Sequence, residues 1–592
     1  MPPLLLLLLT GACYLNALAA GFVWDDLSQV RDNPYLRSLR WVPEIFTRDL
    51  WITSGSAEFS GYYRPLQNLS YALDYALWGN RPFGFHLTNL LLHLAVCLLL
   101  YGLVRRQGFG PPAAFVFAAV FAVHPLHVEE ATFIGGRGGL LSAVFLFGGL
   151  AWVQHALRQS ARLFAPATAA FLSVFLAFLA KPLALLFPVV LAAAPWVVTA
   201  AESTAVKIRR SAGLLVAGGL AAGAAFSIPY LFLQVRFGDA VPGSSLSGAL
   251  VRLPAIVTAY LVKIFFPIGL AIDYPPPDYG QPPAWIALFW IALILLPLAI
   301  AAFGLVHGRR WAFWLLFAPL LLCPLAGLWS GYFVVADRYA YLPVAALGAL
   351  LAWPLEAAGE NLRRRTAALS LAMIPVLAFG VLTIARNNVF LNQDTFWAAA
   401  ERAAPLRPKV VEGVAARLAR QGRLAETIAY LEAVTARLPD NANLRLELAM
   451  YLFDAGRTDE SQRLTEAVVR EKPHLAKALW HLSQLSFARR DYPTALRLTR
   501  RLLAENPRDL DALVNLAVLL KLADQPQQAL AALDDVLAQS PLHGLANLYK
   551  GMMLFEAGRR REAIVFLRQG LAANPGHAKA QEMLREAETG GI

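Results

Sequence analysis

At 592 residues, 57% hydrophobic and a mean hydropathy of +0.50, the chain is too apolar for an ordinary soluble protein and long enough for more than one folding unit. Its net charge of +12 comes without a dense basic run interleaved with aromatics, which argues against nucleic acid as a partner; many basic residues instead sit just past apolar runs, where they signal topology. Cys13, Cys97 and Cys323 fall singly in apolar runs with no CxxC or Cys/His spacing, which argues against disulfides and a structural zinc site.

The first apolar run, Leu4 to Ala20, starts at the N-terminus and ends in small residues, but no Lys or Arg precedes it, so a retained membrane span is expected rather than a cleaved signal. GFVWDD, Gly21 to Asp26, follows at once and places two adjacent carboxylates at a membrane surface. A polar segment then extends to about Gly84, with aromatic patches at Trp41, Phe46 and Trp51 that suit the interface. Ten further apolar runs are read as spans, beginning near Phe85, Pro112, Leu140, Ala165, Leu183, Leu214, Trp285, Trp311, Tyr341 and Ala367.

Leu250 to Ile272 decides the count. It carries Arg252, Pro254, Lys263 and Pro267, and a charge near the bilayer centre costs about 2.5 to 3.5 kcal/mol, so it is expected to be a surface or re-entrant helix pair. Eleven spans then put Arg105/Arg106, Arg158/Arg162, Lys207/Arg209/Arg210, Arg309/Arg310 and Arg363/Arg364/Arg365 all on the cytoplasmic side. The same arithmetic puts Asp25/Asp26, the His124 to Arg137 loop, the Leu328 to Pro343 loop and everything after Arg386 on the outer side.

Beyond residue 400 the signal is a repeat. Pro405, Pro439, Pro473, Pro507, Pro541 and Pro575 recur in register, with small residues at Thr427, Ser461, Ala495, Ala529 and Ala563 and again at Ala415, Ala449, Ser483, Ala517 and Gly551. Small positions let paired helices approach, and proline ends the second helix of each pair, which is the tetratricopeptide pattern. The expected organisation is all-α: a polytopic membrane domain over 1–386, a linker over 387–407, and a tetratricopeptide-repeat solenoid over 408–592, with five repeats over 408–577 and a C-terminal capping helix.

Candidate chemistry collects on the outer side. Of Asp25 and Asp26, one suits a general base and the other an orienting acid, against the plainer alternative of a helix cap. HPLHVEE brings His124, His127, Glu129 and Glu130 to a span end, with Glu129 or Glu130 as a second acid; the His spacing leaves a metal contact open but completes no ligand set. Arg64, Arg137, Lys181 and Arg338 are cations suited to a departing phosphate, against membrane anchoring or carboxylate pairing, the latter for Arg338 with neighbouring Asp337. His86 and His93 share a face of the second span and read as packed polar residues.

Together FVWDD, YYRPLQNLSYALDYALWG, PFGFHLTNLLLH, FAVHPLHVEEATFIGGR and VADRYAYLP, followed by the repeats, resemble the transmembrane and tetratricopeptide-repeat O-mannosyltransferases and their bacterial relatives. The resemblance implies a GT-C glycosyltransferase, a multi-span and inverting enzyme. It would move a sugar, mannose favoured, from a polyprenyl-phosphate donor to Ser/Thr hydroxyls of exported proteins, with the repeats binding the acceptor. By that resemblance Asp25, Asp26 and, less directly, Glu129 match catalytic positions. Arg64, Arg137 and Arg338 would hold the donor phosphate, and His86, His124 and His127 are donor or metal contacts to test. No cofactor beyond the lipid-linked donor is implied, and a divalent metal has no support in the residues. Partners are the donor, an acceptor protein or peptide and membrane lipids. A bacterial inner membrane with periplasmic repeats is expected, with an endoplasmic-reticulum membrane as alternative. The rival readings are a glycan or lipid acceptor and a non-catalytic scaffold.

Overall fold

The computed structural model describes residues 2–48, 50, 62–159, 162–181, 185–199, 202–232, 246–272, 274, 284–322 and 335–589. Trp51, Cys323 and the outer segment around 275–283 lie outside the described residues. All regular structure among the described residues is helical, as expected. The chain divides into two compact units. One holds Met1–Arg31, Leu36–Leu50 and Gly61–Ala404, the other Pro405–Ile592 with two short stretches of the 21–84 segment.

The first unit begins with α1 (Pro2–Tyr14) and, after the acidic turn and short helical pieces, α2 (Val42–Thr47) and α3 (Pro65–Trp78). Helices α4 (Pro82–Arg106), α5 (Pro111–Ala122), α6 (Val128–Ala131), α7 (Arg137–Gln159) and α8 (Phe164–Ala180) follow. Then come α9 (Phe187–Val198), α10 (Thr204–Phe232), α11 (Leu246–Phe265), α12 (Ala284–Val306), α13 (Arg310–Leu315), α14 (Phe317–Leu322), α15 (Ala345–Ala357), α16 (Leu362–Asn387) and α17 (Gln393–Ala403). Among the described residues four helical segments, Pro2–Ala19, Pro82–Arg106, Ile134–Gln159 and Leu362–Phe390, are long and apolar enough to cross a membrane. The pair Pro111–Ala122 and Pro125–Ala131 adds a fifth if its 52° bend is a broken span, and shorter apolar helices make up much of the rest.

Two expectations change. The stretch around Pro254 is one continuous helix, α11, rather than a broken pair. At 1.5 Å per residue its 20 residues reach about 30 Å, the thickness of the hydrocarbon layer. The 387–407 segment is not a bare linker: it carries α17, capped by Asn392 and Thr395 in a reciprocal capping box, and it belongs to the first unit. Trp397 and Phe396 on α17 give it an apolar face to bury, which a free linker has no use for.

Close approach within the first unit is written in small residues. Gly149 of α7 lies on Ser173 of α8, and Gly348 of α15 lies 2.8 Å, measured from where a Cβ would stand, from the Phe117 carbonyl of α5. Asn387 at the end of α16 ties three parts together, donating to the Cys13 carbonyl (2.9 Å) and to Asn16 Oδ1 (2.8 Å) and accepting from the Thr132 hydroxyl (2.7 Å). These bonds fix the turn after α6 against both the first and last long helices.

The second unit is a solenoid of five helix pairs: α18 (Pro408–Arg420) with α19 (Leu424–Arg437), α20 (Ala442–Asp454) with α21 (Thr458–Glu471), and α22 (Ala476–Ala488) with α23 (Tyr492–Glu505). The remaining pairs are α24 (Leu510–Leu522) with α25 (Pro526–Gln539) and α26 (Gly544–Glu556) with α27 (Arg560–Ala573), closed by α28 (Ala578–Thr589). The small residues of the repeat are where the packing needs them: Ala415, Ala449, Ala517, Ala529 and Ala563 are all buried, and a Cβ on Gly551 would stand 2.8 Å from the Leu567 nitrogen.

Candidate active site

The acidic turn after α1 is held in a strained shape. Trp24 has φ of 50°, a left-handed conformation that costs a bulky residue about 1–3 kcal/mol, and its ring packs on Phe133 (5.9 Å) and Phe396 (5.7 Å). Asp26 closes the turn: its backbone N–H donates to the Val23 carbonyl (3.0 Å), and its Oδ2 accepts from the Val23 N–H (3.2 Å). Its Oδ1 accepts the Gly135 N–H at 2.8 Å, so the carboxylate also joins the acidic turn to the GGRGG segment. Asp26 is fully buried, and burial pushes its carboxyl well above the usual range, with those two N–H groups opposing. Asp25 is only half-buried and so keeps access to solvent. A π-turn over Leu27–Arg31 follows, an irregularity common at functional sites.

The glycines of GGRGG have a steric reason. A Cβ at Gly136 would stand 2.6 Å from Glu130 Cα, one at Gly138 2.9 Å from the Ala180 carbonyl, and Gly139 lies against the Glu130 carboxylate. The α6 turn and the end of α8 therefore press directly on this backbone. That contact brings the glutamates to their cations. Glu130 forms a buried ion pair with Lys181, just past α8, and Glu129 forms one with the Arg338 guanidinium while also accepting the Arg338 backbone N–H at 3.0 Å.

Arg338 therefore does not pair with its neighbour. Asp337 instead accepts from the Tyr274 hydroxyl (2.5 Å) and from Arg386 (3.3 Å), an arrangement that sends the two adjacent side chains to different partners. Burial pushes the Asp337 carboxyl up to about 6 against the pull of Arg386; on Arg338 burial is the largest influence and lowers it, but Glu129, Tyr339 and Glu130 together hold it above its ordinary value. A recess opens beside these pairs, lined by Glu130, Ser142, Lys181, Arg338, Tyr339 and Tyr341 among others.

Arg137 is placed differently from the cation expected at a phosphate. It is fully buried and salt-bridged to Asp74 at 2.6 Å, and it donates to Asn89 Oδ1 and the Phe85 carbonyl, both at 2.7 Å. Its guanidinium also lies 4.7 Å from the Tyr71 ring centre. With its donors so occupied it acts as a tie between α3, α4 and α7. Lys181, a cation of the same outer set in the sequence, takes the place in the recess; no local pattern marks it, because its position depends on α8 ending against Gly138. Arg64 precedes α3, half-buried with its guanidinium 4.9 Å from the Tyr62 ring centre, and its charge reaches Lys181 together with that of Arg338.

All four histidines of this region are buried and each bonds the fold through at least one ring nitrogen, while His86 Nε2 and His127 Nδ1 have no hydrogen-bond partner among the described residues. His124 Nδ1 accepts the Leu126 N–H (3.2 Å), which leaves Nε2 to donate to the Ile264 carbonyl (2.9 Å), so neither nitrogen has a lone pair to offer a metal. His127 bonds the Tyr341 carbonyl (3.1 Å), His86 the Thr132 carbonyl (2.9 Å), and His93 both the Ala122 carbonyl (3.0 Å) and the Tyr341 hydroxyl (2.7 Å). Among the described residues no three His, Cys, Asp or Glu side chains gather as a metal-ligand set.

Fold and site together define an all-helical protein with membrane-length apolar helices, a cluster of paired acids and bases, and a tetratricopeptide-repeat solenoid. The repeat family is matched twice, as "Tetratricopeptide repeat", over residues 418–484 and 518–578. Among curated proteins the chain is similar to protein O-mannosyl-transferase Tmtc3 of Drosophila melanogaster, 40% identical over 153 residues that make up 22% of this chain and 16% of that protein. It is likewise similar to mouse TMTC3, 39% identical over 24% of this chain and 15% of that protein, and to human TMTC1, 40% identical over 23% and 16%. The resemblance to the transmembrane and tetratricopeptide-repeat O-mannosyltransferases is thus borne out, and the match spans only about a sixth of these relatives' length. Among solved structures the chain is similar to MamA, 20% identical with TM-score 0.24 over 28% of this chain and 97% of that one. It is also similar to TTC0263, a tetratricopeptide-repeat protein of Thermus thermophilus, 16% identical with TM-score 0.27 over 31% and 98%.

Proposed function

We propose that the chain is an integral-membrane glycosyltransferase of the GT-C type. It moves a sugar, mannose favoured, from a polyprenyl-phosphate donor to Ser/Thr hydroxyls of exported proteins, in a bacterial inner membrane with its acidic turn and repeats on the periplasmic side. The observation that carries this reading is the convergence, within one unit, of the strained acidic turn with the Glu129/Glu130 turn and its cations, joined through the Asp26–Gly135 bond. Similarity to the O-mannosyl-transferases supports the sugar and the protein acceptor.

Asp25, the solvent-accessible member of the pair, takes the proton from the acceptor hydroxyl as that oxygen attacks the anomeric carbon. The bond from that carbon to the phosphate oxygen breaks, its electron pair leaving with the lipid phosphate, and the configuration inverts. Asp26 is the positioning residue that holds the turn. Lys181, Arg338 and Arg64 supply the positive field for the leaving phosphate. Radiolabelled polyprenyl-phosphate mannose offered to purified protein in lipid, with label followed from donor to protein, tests the reading. Transfer by wild type that Asp25→Asn abolishes supports it, and no donor loss from wild type with mannose, glucose or aminoarabinose carriers overturns it.

A further inference from the structure

The recess beside α6 holds more opposing charge than a waiting cation site needs. Two consecutive glutamates on one four-residue helix each neutralise a different cation lining it, Glu130 with Lys181 and Glu129 with Arg338. The first pair is almost wholly buried, with the Lys181 and Glu130 side chains 4% and 1% exposed. Glu130 Oε2 has no hydrogen-bond partner among the described residues, although it is buried and belongs to a residue lining the recess. A buried carboxylate oxygen left without a donor is costly, so Glu130 loses little when its other oxygen releases Lys181. A carboxylate also presents to Lys and Arg the same charge and acceptor oxygens as a phosphate.

We propose that Lys181 and Arg338 form the seat of a lipid-linked phosphate, and that Glu129 and Glu130 are carboxylate placeholders that yield these cations when the phosphate enters and recapture them when it leaves. The proposal rests on the reading above for the nature of the donor. Its consequence is a sign that a catalytic acid would not give. A sugar phosphodiester carries one negative charge and the lipid monophosphate product approaches two, so bare cations would grip the product harder than the donor. Glutamates that compete for the cations oppose that grip and speed release. Removing one should tighten phosphate binding and slow turnover together. Tyr339, whose ring centre lies 5.2 Å from the Arg338 guanidinium, keeps that cation at the recess while its partner changes.

Binding of farnesyl monophosphate to the full-length protein in lipid nanodiscs tests this directly, with farnesol and inorganic phosphate as comparators. Glu130→Gln should bind farnesyl monophosphate about tenfold tighter than wild type and Lys181→Gln about tenfold weaker, with farnesol the same for all three. Affinity unchanged in Lys181→Gln, or weakened in Glu130→Gln, overturns the proposal. Inorganic phosphate binding as tightly as farnesyl monophosphate would give the recess to a free phosphate and overturn the lipid assignment. Should the single variants not fold, Glu130→Asp keeps the buried charge but draws the carboxylate back from Lys181 and should bind farnesyl monophosphate more tightly than wild type; unchanged or weaker affinity there also overturns the proposal. Farnesyl monophosphate binding that follows these signs, without mannose transfer from its lipid carrier, leaves the seat standing and removes the transferase reading instead.

Discussion

Asp25 and Asp26 are neighbours in sequence with opposite surroundings, and their substitutions should separate accordingly. Asp26→Asn puts an amide N–H where a backbone N–H now points, so it should lower stability by about 1–3 kcal/mol, read as a drop in unfolding temperature. Asp25→Asn should leave unfolding temperature near wild type while cutting transfer at least about a hundredfold, since general-base catalysis contributes about 10²–10⁴. Asp337 sets a pH dependence. Its folded pKa of about 6 lies above the ordinary carboxyl value of 3.8, so the fold favours the protonated form. The stability it lends is fully present below about pH 4 and is lost as pH rises through about 6. Unfolding temperature measured from pH 4 to 7 should fall less steeply in Asp337→Asn than in wild type. That Asp25 and Asp26 would differ in surroundings was legible from sequence, because adjacent side chains point apart. Which one is buried was not, because the Gly135 N–H that claims Asp26 comes from 109 residues away.

At the scale of elements, the GGRGG segment and α6 behave as one packed corner. Gly136→Ala drives a methyl into the Glu130 backbone, an overpacking that should cost about 1–3 kcal/mol and loosen both ion pairs. Gly148→Ala, where a Cβ meets nothing within 4 Å, is the control and should be neutral or slightly stabilising in unfolding measurements. Breaking the buried Arg137–Asp74 tie by Arg137→Ala should cost about 3–5 kcal/mol and reduce folded yield rather than donor affinity alone. The sequence marked Glu129, Glu130 and Arg137 of this corner as candidates through their charge and their place at a span end. The pairing of Arg137 with Asp74 was not legible, since a cation looks the same in a string whether it faces a phosphate or a buried aspartate. The helix pair expected over Leu250 to Ile272 and the bare linker expected over 387–407 both give way to helix: α11 runs on through Pro254, and α17 buries Trp397.

For the whole molecule, the division of labour is the testable point. Deleting Pro405–Ile592 should reduce transfer to a protein acceptor far more than donor hydrolysis or transfer to a short hydroxyl peptide, because an acceptor-binding array acts by raising local acceptor concentration. Equal losses in the three assays would remove that role from the repeats. What the sequence by itself determined is what local pattern encodes: apolar runs of membrane length, and helix pairs whose small residues and terminal prolines recur in register. Those features depend on residues close by in the chain or one repeat away. Only the tertiary structure decided which charges meet, since Glu130 reaches Lys181 across 51 residues and Glu129 reaches Arg338 across 209. Ion pairing at low dielectric is set by distance and burial, and both are properties of the packed helices rather than of any one of them.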